Sequence, residues 1–180
     1  WYLPGEQLGR LMMTGATLVW QRLKSPGVVK SIELGEGLIV FKSFPAFLRE
    51  LPLVDELLII SPNGYWSDAL GITMESLPSG LRKLELSGRW NGSTFKLFGE
   101  PGATLKLCDY VPHLTTLYLG FEPLGDYSWL AHTPQSLTRL HLDWWYCEIE
   151  LPSSLIHFTT RGVHCSEEDF APKLPPSLES

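Results

Sequence analysis

One spacing of apolar residues recurs along most of the chain. In each copy, apolar side chains stand at positions 1, 4 and 6, and a proline usually stands two or three residues before position 1. Clear copies are LPSGLRKLEL (77–86), TPQSLTRLHL (133–142) and LPSSLIHFTT (151–160). The triplets at positions 1, 4 and 6 are Val29/Ile32/Leu34, Val54/Leu57/Ile59, Leu81/Leu84/Leu86, Leu114/Leu117/Leu119, Leu137/Leu140/Leu142 and Leu155/Phe158/Thr160, and Leu178 opens a further copy.

This spacing predicts one short strand in each copy. Positions 4 and 6 are two residues apart, so on a strand their side chains point to the same face, toward a core. The preceding proline cannot continue a helix and pushes the residue before it toward extended geometry. A single copy cannot bury its own leucines, but stacked copies can, with each strand pairing to the next. The pattern therefore predicts an α/β solenoid with one parallel sheet.

The segments between the strands predict short, irregular returns. In SFPAFLREL (43–51), Phe44, Phe47, Leu48 and Leu51 have helical spacing,. In GDYSWLAHT (125–133), a helical turn that begins near Asp126 would pack Trp129 and Leu130 inward,. First positions lie 18 to 33 residues apart, with a mean of about 25, within the roughly 20–29 residues of leucine-rich repeats.

On this motif, residues 25–180 resemble the leucine-rich-repeat family, with about six copies and a truncated C-terminal one. The phrase LPxSLxxL is also similar to FNIP-type repeats of amoebal proteins, a variant of the same architecture. The chain departs from the family at position 9, where asparagine is usual, and we therefore expect a less regular horseshoe. The residues at that position are Gly37, Pro62, Arg89, Glu122, Trp145 and Val163.

The N-terminal residues 1–24 predict a short helical cap or the second half of an F-box-like motif. YLPGEQLGRLMMTGATLVWQRL (2–23) has a helical rhythm and resembles the F-box pattern of Leu-Pro, spaced leucines and a Trp-containing helix. The resemblance implies that Leu8, Leu11 and Leu18 bind a Skp-type cullin adaptor. The chain would then be the substrate-recognition part of an F-box-type ubiquitin-ligase receptor. The alternative is a free-standing leucine-rich-repeat (FNIP-like) binding protein with no ligase link.

Positions 3, 5 and 7 alternate with the apolar positions and are expected to face solvent on the concave side of the sheet. Aromatic residues and arginine are common anchors of protein interfaces, and they concentrate on the later strands. The alternative is that Trp144 or Trp145 packs inside and that Arg139 and Asp143 form only a solvated pair. The predicted protein-binding residues are Tyr118, Arg139, His141, Asp143, Trp144, Trp145, His157 and Arg161. Leu58 and Ile60 would be exposed apolar side chains on an early strand.

Composition and charge narrow the class of partner. Apolar residues make up 44% of the 180 residues, the net charge is −6, and no basic run occurs. This charge disfavours nucleic acid as a partner. No apolar stretch approaches the roughly 18–20 residues that cross a bilayer, so no membrane association is expected. The three cysteines have no CxxC spacing, which favours a reducing compartment and an intracellular location, cytoplasmic or nuclear.

Signatures of catalysis were sought in the sequence as well. No glycine-rich phosphate loop, GxSxG elbow or HExxH motif occurs,. Cys147, His164 and Cys165 lack a fourth ligand and the spacing of a zinc site. Cys147 with His141 would be a nucleophile and base that nothing orients. We therefore expect no enzyme, no metal and no cofactor, and a cryptic hydrolase or metal enzyme is the third alternative.

Overall fold

Seven strands form one parallel sheet in which the strand order is the order along the chain. The computed structural model describes residues 10–13, 31–34, 48–49, 51, 53–66, 73–90, 106–120, 128–146, 150–164 and 174–178. The strands are β1 (Arg10–Met13), β2 (Ser31–Leu34), β3 (Glu56–Trp66), β4 (Lys83–Trp90), β5 (Thr116–Gly120), β6 (Arg139–Tyr146) and β7 (His157–His164). The predicted single parallel sheet with few helices, consistent with the α/β class, is confirmed.

Equivalent positions of successive copies lie side by side in this sheet. Leu57 pairs with Leu84, and Leu84 pairs in turn with Leu117. Leu140 continues the row on β6 and Phe158 on β7. The register at this position is unbroken from β3 to β7. Each position of the motif therefore forms a column of equivalent residues across the sheet.

Positions 1, 4 and 6 form the hydrophobic core. In the copies that begin at Val54, Leu81, Leu114 and Leu137, all twelve of these side chains are at most 2% exposed. Full burial of one such side chain stabilises a fold by about 1.5–3 kcal/mol. In the copy at Leu155 the core thins, because Phe158 and Thr160 are only half-buried.

A tight turn precedes position 1 and explains the proline of the motif. The Leu81 amide donates a hydrogen bond to the carbonyl of Pro78 (3.0 Å), and the Leu137 amide donates to that of Pro134 (3.0 Å). The copies at Leu155 and Leu178 repeat this bond. Proline occupies the first place of the turn, where its carbonyl is used and its missing N–H is not needed.

Neighbouring copies are joined where the chain enters each strand. The carbonyl of Arg82 accepts hydrogen bonds from the amides of both Thr115 (2.8 Å) and Thr116 (3.0 Å) of the next copy. The carbonyl of Thr115 is used in the same way by the copy at Leu137, and that of Thr138 by the copy at Leu155. One acceptor at position 2 thus satisfies two donors and holds the register between copies.

A serine immediately before position 1 adds a side-chain ladder at the same corner. The hydroxyl of Ser136 donates to the carbonyl of Leu114 (2.8 Å), and that of Ser154 to the carbonyl of Leu137 (2.7 Å). Ser177 donates to the carbonyl of Leu155 (2.5 Å). Each hydroxyl therefore reaches position 1 of the preceding copy, which explains why Ser-Leu recurs in the sequence.

At position 9, where leucine-rich repeats usually have asparagine, the described strands continue. Arg89, Trp145 and Val163 all lie within strands, and Trp145 pairs with Val163 across β6 and β7. Tryptophan and valine favour extended structure. The pairing therefore extends up to three residues beyond position 7 in β4, β6 and β7.

Short helical segments occur in the returns that lead into β3, β4, β5 and β6, whereas the described part of the return into β7, residues 150–156, has none. The predicted helical turn around Trp129 and Leu130 is confirmed as the 3₁₀ helix Ser128–His132, with both side chains buried. Residues 48 and 49 are helical, and Leu48 and Leu51 are buried as predicted. The 3₁₀ helix Met74–Ser76 and the helix α1 (Leu107–Tyr110) were not predicted. Phe44, Phe47 and Asp126 lie outside the described residues.

The N-terminal prediction is wrong where the structure describes it. Residues 10–13 form β1 rather than a helix, and Leu11 pairs with Ile32 and Met13 with Leu34. The reason is that Leu8, Leu11 and Met13 have the spacing of positions 1, 4 and 6, 21 residues ahead of Val29. An i, i+3 pair of apolar residues is common to an amphipathic helix and to this motif, so the pair alone does not separate them. The rest of residues 1–24 lies outside the described ranges.

None of the helices in the described ranges has the length and apolar character needed to span a membrane.

Gly80 occupies the serine position of its own copy, and a Cβ there would meet no atom within 4 Å. We expect Gly80→Ala to stabilise the fold by about 0.4–1 kcal/mol, because alanine restricts the unfolded chain. Gly80→Ser should add a further ~0.5–1.5 kcal/mol, because its hydroxyl would donate to the carbonyl of Val54. Urea unfolding of the three proteins measures both steps. Equal midpoints for the alanine and serine variants would contradict a stabilising role for the ladder.

Candidate functional site

The motif positions between the buried ones form an exposed surface, which we call the outer strand face. It comprises positions 3, 5 and 7 of β3 to β7, all half-buried or exposed where their side chains are described. Its members are Glu56, Leu58, Lys83, Glu85, Ser87, Thr116, Tyr118, Gly120, Arg139, His141, Asp143, His157, Thr159 and Arg161. The alternation predicted from the sequence is therefore confirmed over these strands.

Two aromatic rings stack at the centre of this face. Tyr118 and His141 occupy position 5 of β5 and β6 and are paired in register. Their ring centroids are 4.0 Å apart, and the ring planes differ by 2°. Aromatic pairs of this kind stabilise a fold by about 0.5–1.5 kcal/mol in addition to the contribution of the apolar area that they bury. The two rings form a flat platform fixed by the sheet.

A carboxylate holds the imidazole and an arginine beside this platform. His141 and Asp143 are two residues apart on β6 and so point to the same face, with Nε2 of His141 3.1 Å from Oδ1 of Asp143. Arg161 Nε on β7 lies 3.5 Å from the same oxygen. An ionised carboxylate only accepts hydrogen bonds, so His141 Nε2 donates here. The expectation that nothing orients His141 is therefore wrong, because it considered Asp143 as a partner of Arg139 and not of the imidazole.

Exposure differs sharply within this group. The Asp143 side chain is only 14% exposed and that of His141 17%, whereas the Arg161 side chain is 71% exposed. Asp143 and His141 are therefore both largely covered, whereas most of the Arg161 side chain still faces solvent. Of the charges in this group, the surface presents the cation.

Gly120 is a member of the site that the sequence analysis missed. A Cβ at this position would lie 2.8 Å from both the Cβ of Ser87 and Cε1 of Tyr118. Real Cβ atoms do not approach so closely, so only glycine leaves room for the ring of Tyr118 in its observed position. The sequence feature that could have indicated this role is a glycine two residues after Tyr118, with both residues at outward positions of the same strand.

The surroundings raise the pKa of Tyr118 above its ordinary value of 10.0. Partial burial of the phenol is the largest cause, and the negative charges of Asp143 and Glu85 act in the same direction. Arg161 opposes them by stabilising the phenolate. The hydroxyl of Tyr118 thus remains protonated at neutral pH and is a hydrogen-bond donor available at the platform.

The remaining predicted residues fall into two groups. Arg139 and His157 are exposed and paired in register at position 3 of β6 and β7, and Asp143 pairs with Arg161 of the next strand rather than with Arg139. For Trp144 and Trp145 the structure describes the backbone, which continues β6 beside Gly162 and Val163.

The other sequence-based positions are less fully described. Leu58 is half-buried rather than fully exposed, and only the backbone of Ile60 is described, within β3. Leu11 lies in β1, whereas Leu8 and Leu18 lie outside the described residues.

The described side chains of the face allow three kinds of contact and one acid–base pair. Within the described ranges, no three His, Cys, Asp or Glu side chains come together as a group that could hold a metal ion. His141 with Asp143 has the geometry of an oriented base, but Cys147, the nucleophile considered for it, lies outside the described residues. Stacking, hydrogen bonding and ion pairing are what the described side chains supply.

Comparison of the chain with protein-family models, with curated proteins and with solved structures gives no match.

We expect Asp143→Asn to lower the pKa of Tyr118 toward its ordinary value, because the substitution removes a negative charge that disfavours the phenolate. The pKa should stay above 10.0, since burial is the larger cause. Tyrosinate absorbance against pH measures it, with Tyr118→Phe identifying the contribution of this residue. Asp109→Asn, a change at an exposed acid in α1, should leave the titration unchanged.

The raised pKa also has a consequence for stability. A neutral phenol favoured by the folded state contributes stability that is present below about pH 10 and is lost as pH rises through the folded-state pKa. Tyr118→Phe should remove this contribution to the alkaline loss of stability. A folded-state pKa of Tyr118 at or below 10 would contradict the buried, acid-flanked position of the ring.

Proposed function

We propose that this chain is a non-catalytic protein-binding module of the leucine-rich-repeat type, which binds its partner on the outer strand face. The observation that carries the proposal is the group Tyr118, His141, Asp143 and Arg161. Stacking and a shared carboxylate hold these side chains in place on an exposed surface. Surfaces that use aromatic rings and arginine as anchors are typical of protein interfaces.

The solenoid architecture is part of this proposal. Its support is the parallel order of the strands, the turn repeated before each position 1, and the carbonyl at position 2 that joins each copy to the next. These contacts are all between nearest neighbours, as in repeat proteins built by stacking. Such a stack leaves one face of its sheet available for a partner.

Recruitment is the mechanism that we propose. Ordering a flexible side chain on binding costs about 0.5–1.5 kcal/mol, and part of this cost is already met for Tyr118 and His141 in the free protein. The exposed guanidinium of Arg161 and the phenol of Tyr118 then supply directional bonds. The partner would be held by a preformed surface without chemical change.

We favour the free-standing module over the F-box receptor. The F-box resemblance implies a helix through Leu11, whereas residues 10–13 are a strand paired with β2. The spacing of Leu8, Leu11 and Met13 is accounted for by a further repeat. Binding of a Skp-type adaptor through Leu8, Leu11 and Leu18 stays a prediction of the resemblance.

The binding function predicts that ligands selected on this chain depend on the platform. We expect peptides or small domains selected by display on the wild-type protein to lose about tenfold or more in affinity on Tyr118→Ala and on Arg161→Ala, because anchors of this kind dominate interfaces. Leu53→Ala, which truncates an exposed apolar side chain in a turn, is the matched control and should bind normally. Thermal unfolding verifies that each variant is folded.

Selected ligands that bind equally to the wild-type protein and to both platform variants would contradict a binding role for this face.

Size-exclusion chromatography with a Skp-type adaptor separates the two candidate functions. If the free-standing module is correct, the chain and the adaptor elute separately. Co-elution that is lost in a folded Leu8→Asp, Leu11→Asp variant would instead establish the ligase receptor. Because Leu11 lies in β1, circular dichroism must verify the fold of that variant, and Leu18→Asp offers a second test outside the described strands.

A further inference from the structure

We infer that the partner of the outer strand face is an acidic polypeptide segment, held by at least two of its carboxylates over β6 and β7. This inference rests on the proposed binding function and specifies its partner. It follows from the distribution of charge on the face, from the way the local acid is used, and from the separation of the two arginines.

The sign of the exposed charge reverses across the sheet. The chain as a whole carries a net charge of −6, and Glu56 is the exposed residue at position 3 of β3. On β6 and β7, by contrast, the exposed charged or titratable residues of the face are Arg139, His157 and Arg161. A local positive surface on an acidic protein attracts an acidic partner and disfavours basic ones.

The one carboxylate at this end of the face, Asp143, is paired with Arg161 at 3.5 Å and is only 14% exposed. The Arg161 side chain nevertheless remains 71% exposed, against 36% for Lys83, so that it can still meet an anion. On β4, Lys83 is paired with Glu85 at 3.3 Å, so that an acid already balances its charge. Arg139 and His157 have no ionic partner among the residues that the structure describes. The free capacity for anions therefore lies on β6 and β7.

The spacing of the arginines fits an extended segment with two acidic residues. Arg139 is level with His157 in register, and Arg161 follows His157 by four residues on β7. At about 3.3 Å per residue, the two arginine backbones are roughly 13 Å apart along the strands. Two acidic residues of one extended peptide fit that separation, with one carboxylate beside each arginine. The stacked rings of Tyr118 and His141, at position 5, provide a surface for the residue between them.

The experiment is a selection of random 12-residue peptides displayed on phage against the wild-type chain, followed by fluorescence anisotropy with synthetic copies of the selected peptides. We expect the peptides to be enriched in Asp and Glu and to lose at least tenfold in affinity when those residues become Asn and Gln. The double variant Arg139→Glu, Arg161→Glu should also bind them at least tenfold more weakly. Both arginines are exposed, so this variant is expected to fold.

The matched control is the double variant Arg49→Glu, Arg82→Glu. It makes the same change in net charge at two exposed arginines outside the outer strand face, and should change the affinity less than threefold. An equal loss in both double variants would show only a nonspecific effect of net charge and would overturn the inference. As a positive test of charge pairing, peptides with Lys in place of the acids should bind the Arg139→Glu, Arg161→Glu variant better than the wild type.

The outcomes separate this inference from the proposed function. Peptides that depend on Tyr118 but show no acidic enrichment, or that bind as well in amide form, overturn the acidic partner and leave the binding function standing. A selection in which no peptide depends on the face argues against both. Binding of single-stranded oligothymidylate as tightly as the best acidic peptide would overturn the polypeptide partner in favour of a nucleic acid.

Discussion

The hydrogen bonds at the entry to each strand are the constraint on which the rest of this structure depends. One carbonyl at position 2 accepts two amides from the next copy, and in three copies a serine hydroxyl binds the neighbouring carbonyl at position 1. The turn of the motif brings these groups together at one corner. Each bond joins a position of one copy to the same or an adjacent position of the next copy. Every copy therefore fixes the register of the copy that follows it.

That register both builds the core and assembles the outer strand face. Leucines at positions 4 and 6 pack against the same positions of their neighbours, while position 5 places Tyr118 beside His141. The rings stack at 4.0 Å, and Asp143 links His141 to Arg161 of the following strand. A slip of one residue would turn the leucines outward and separate the rings. Stability and the geometry of the face therefore have a common cause.

Two differences from the usual leucine-rich-repeat motif concern small residues beside the strands. Serine before position 1 supplies a side-chain ladder in a chain that lacks asparagine at position 9, and strands continue through position 9 at Trp145 and Val163. Because Gly80 stands where three other copies have serine, its copy lacks the hydroxyl that would bond to the preceding copy. Gly120 leaves the space that the Tyr118 ring requires. Small residues thus have different roles in the same motif, according to what the neighbouring copy places beside them.

The sequence by itself determined the strands from β2 to β7, the inward residues from Val54 onward and the outward positions from Glu56 to Arg161, because the 1-4-6 spacing is a local property of the chain. It also indicated the buried return at Trp129 and Leu130. It did not separate a helix from a strand at Leu11, since a single i, i+3 apolar pair fits both. Only the tertiary structure decided that Asp143 binds His141 and Arg161, that Tyr118 stacks on His141, and that Gly120 must be small. The Tyr118–His141 and Asp143–Arg161 contacts join residues of neighbouring strands, and such contacts exist only once the register between copies is set,. His141 and Asp143 lie on one strand, where the sequence indicates a shared face but not the side-chain rotamers that bring the two together,.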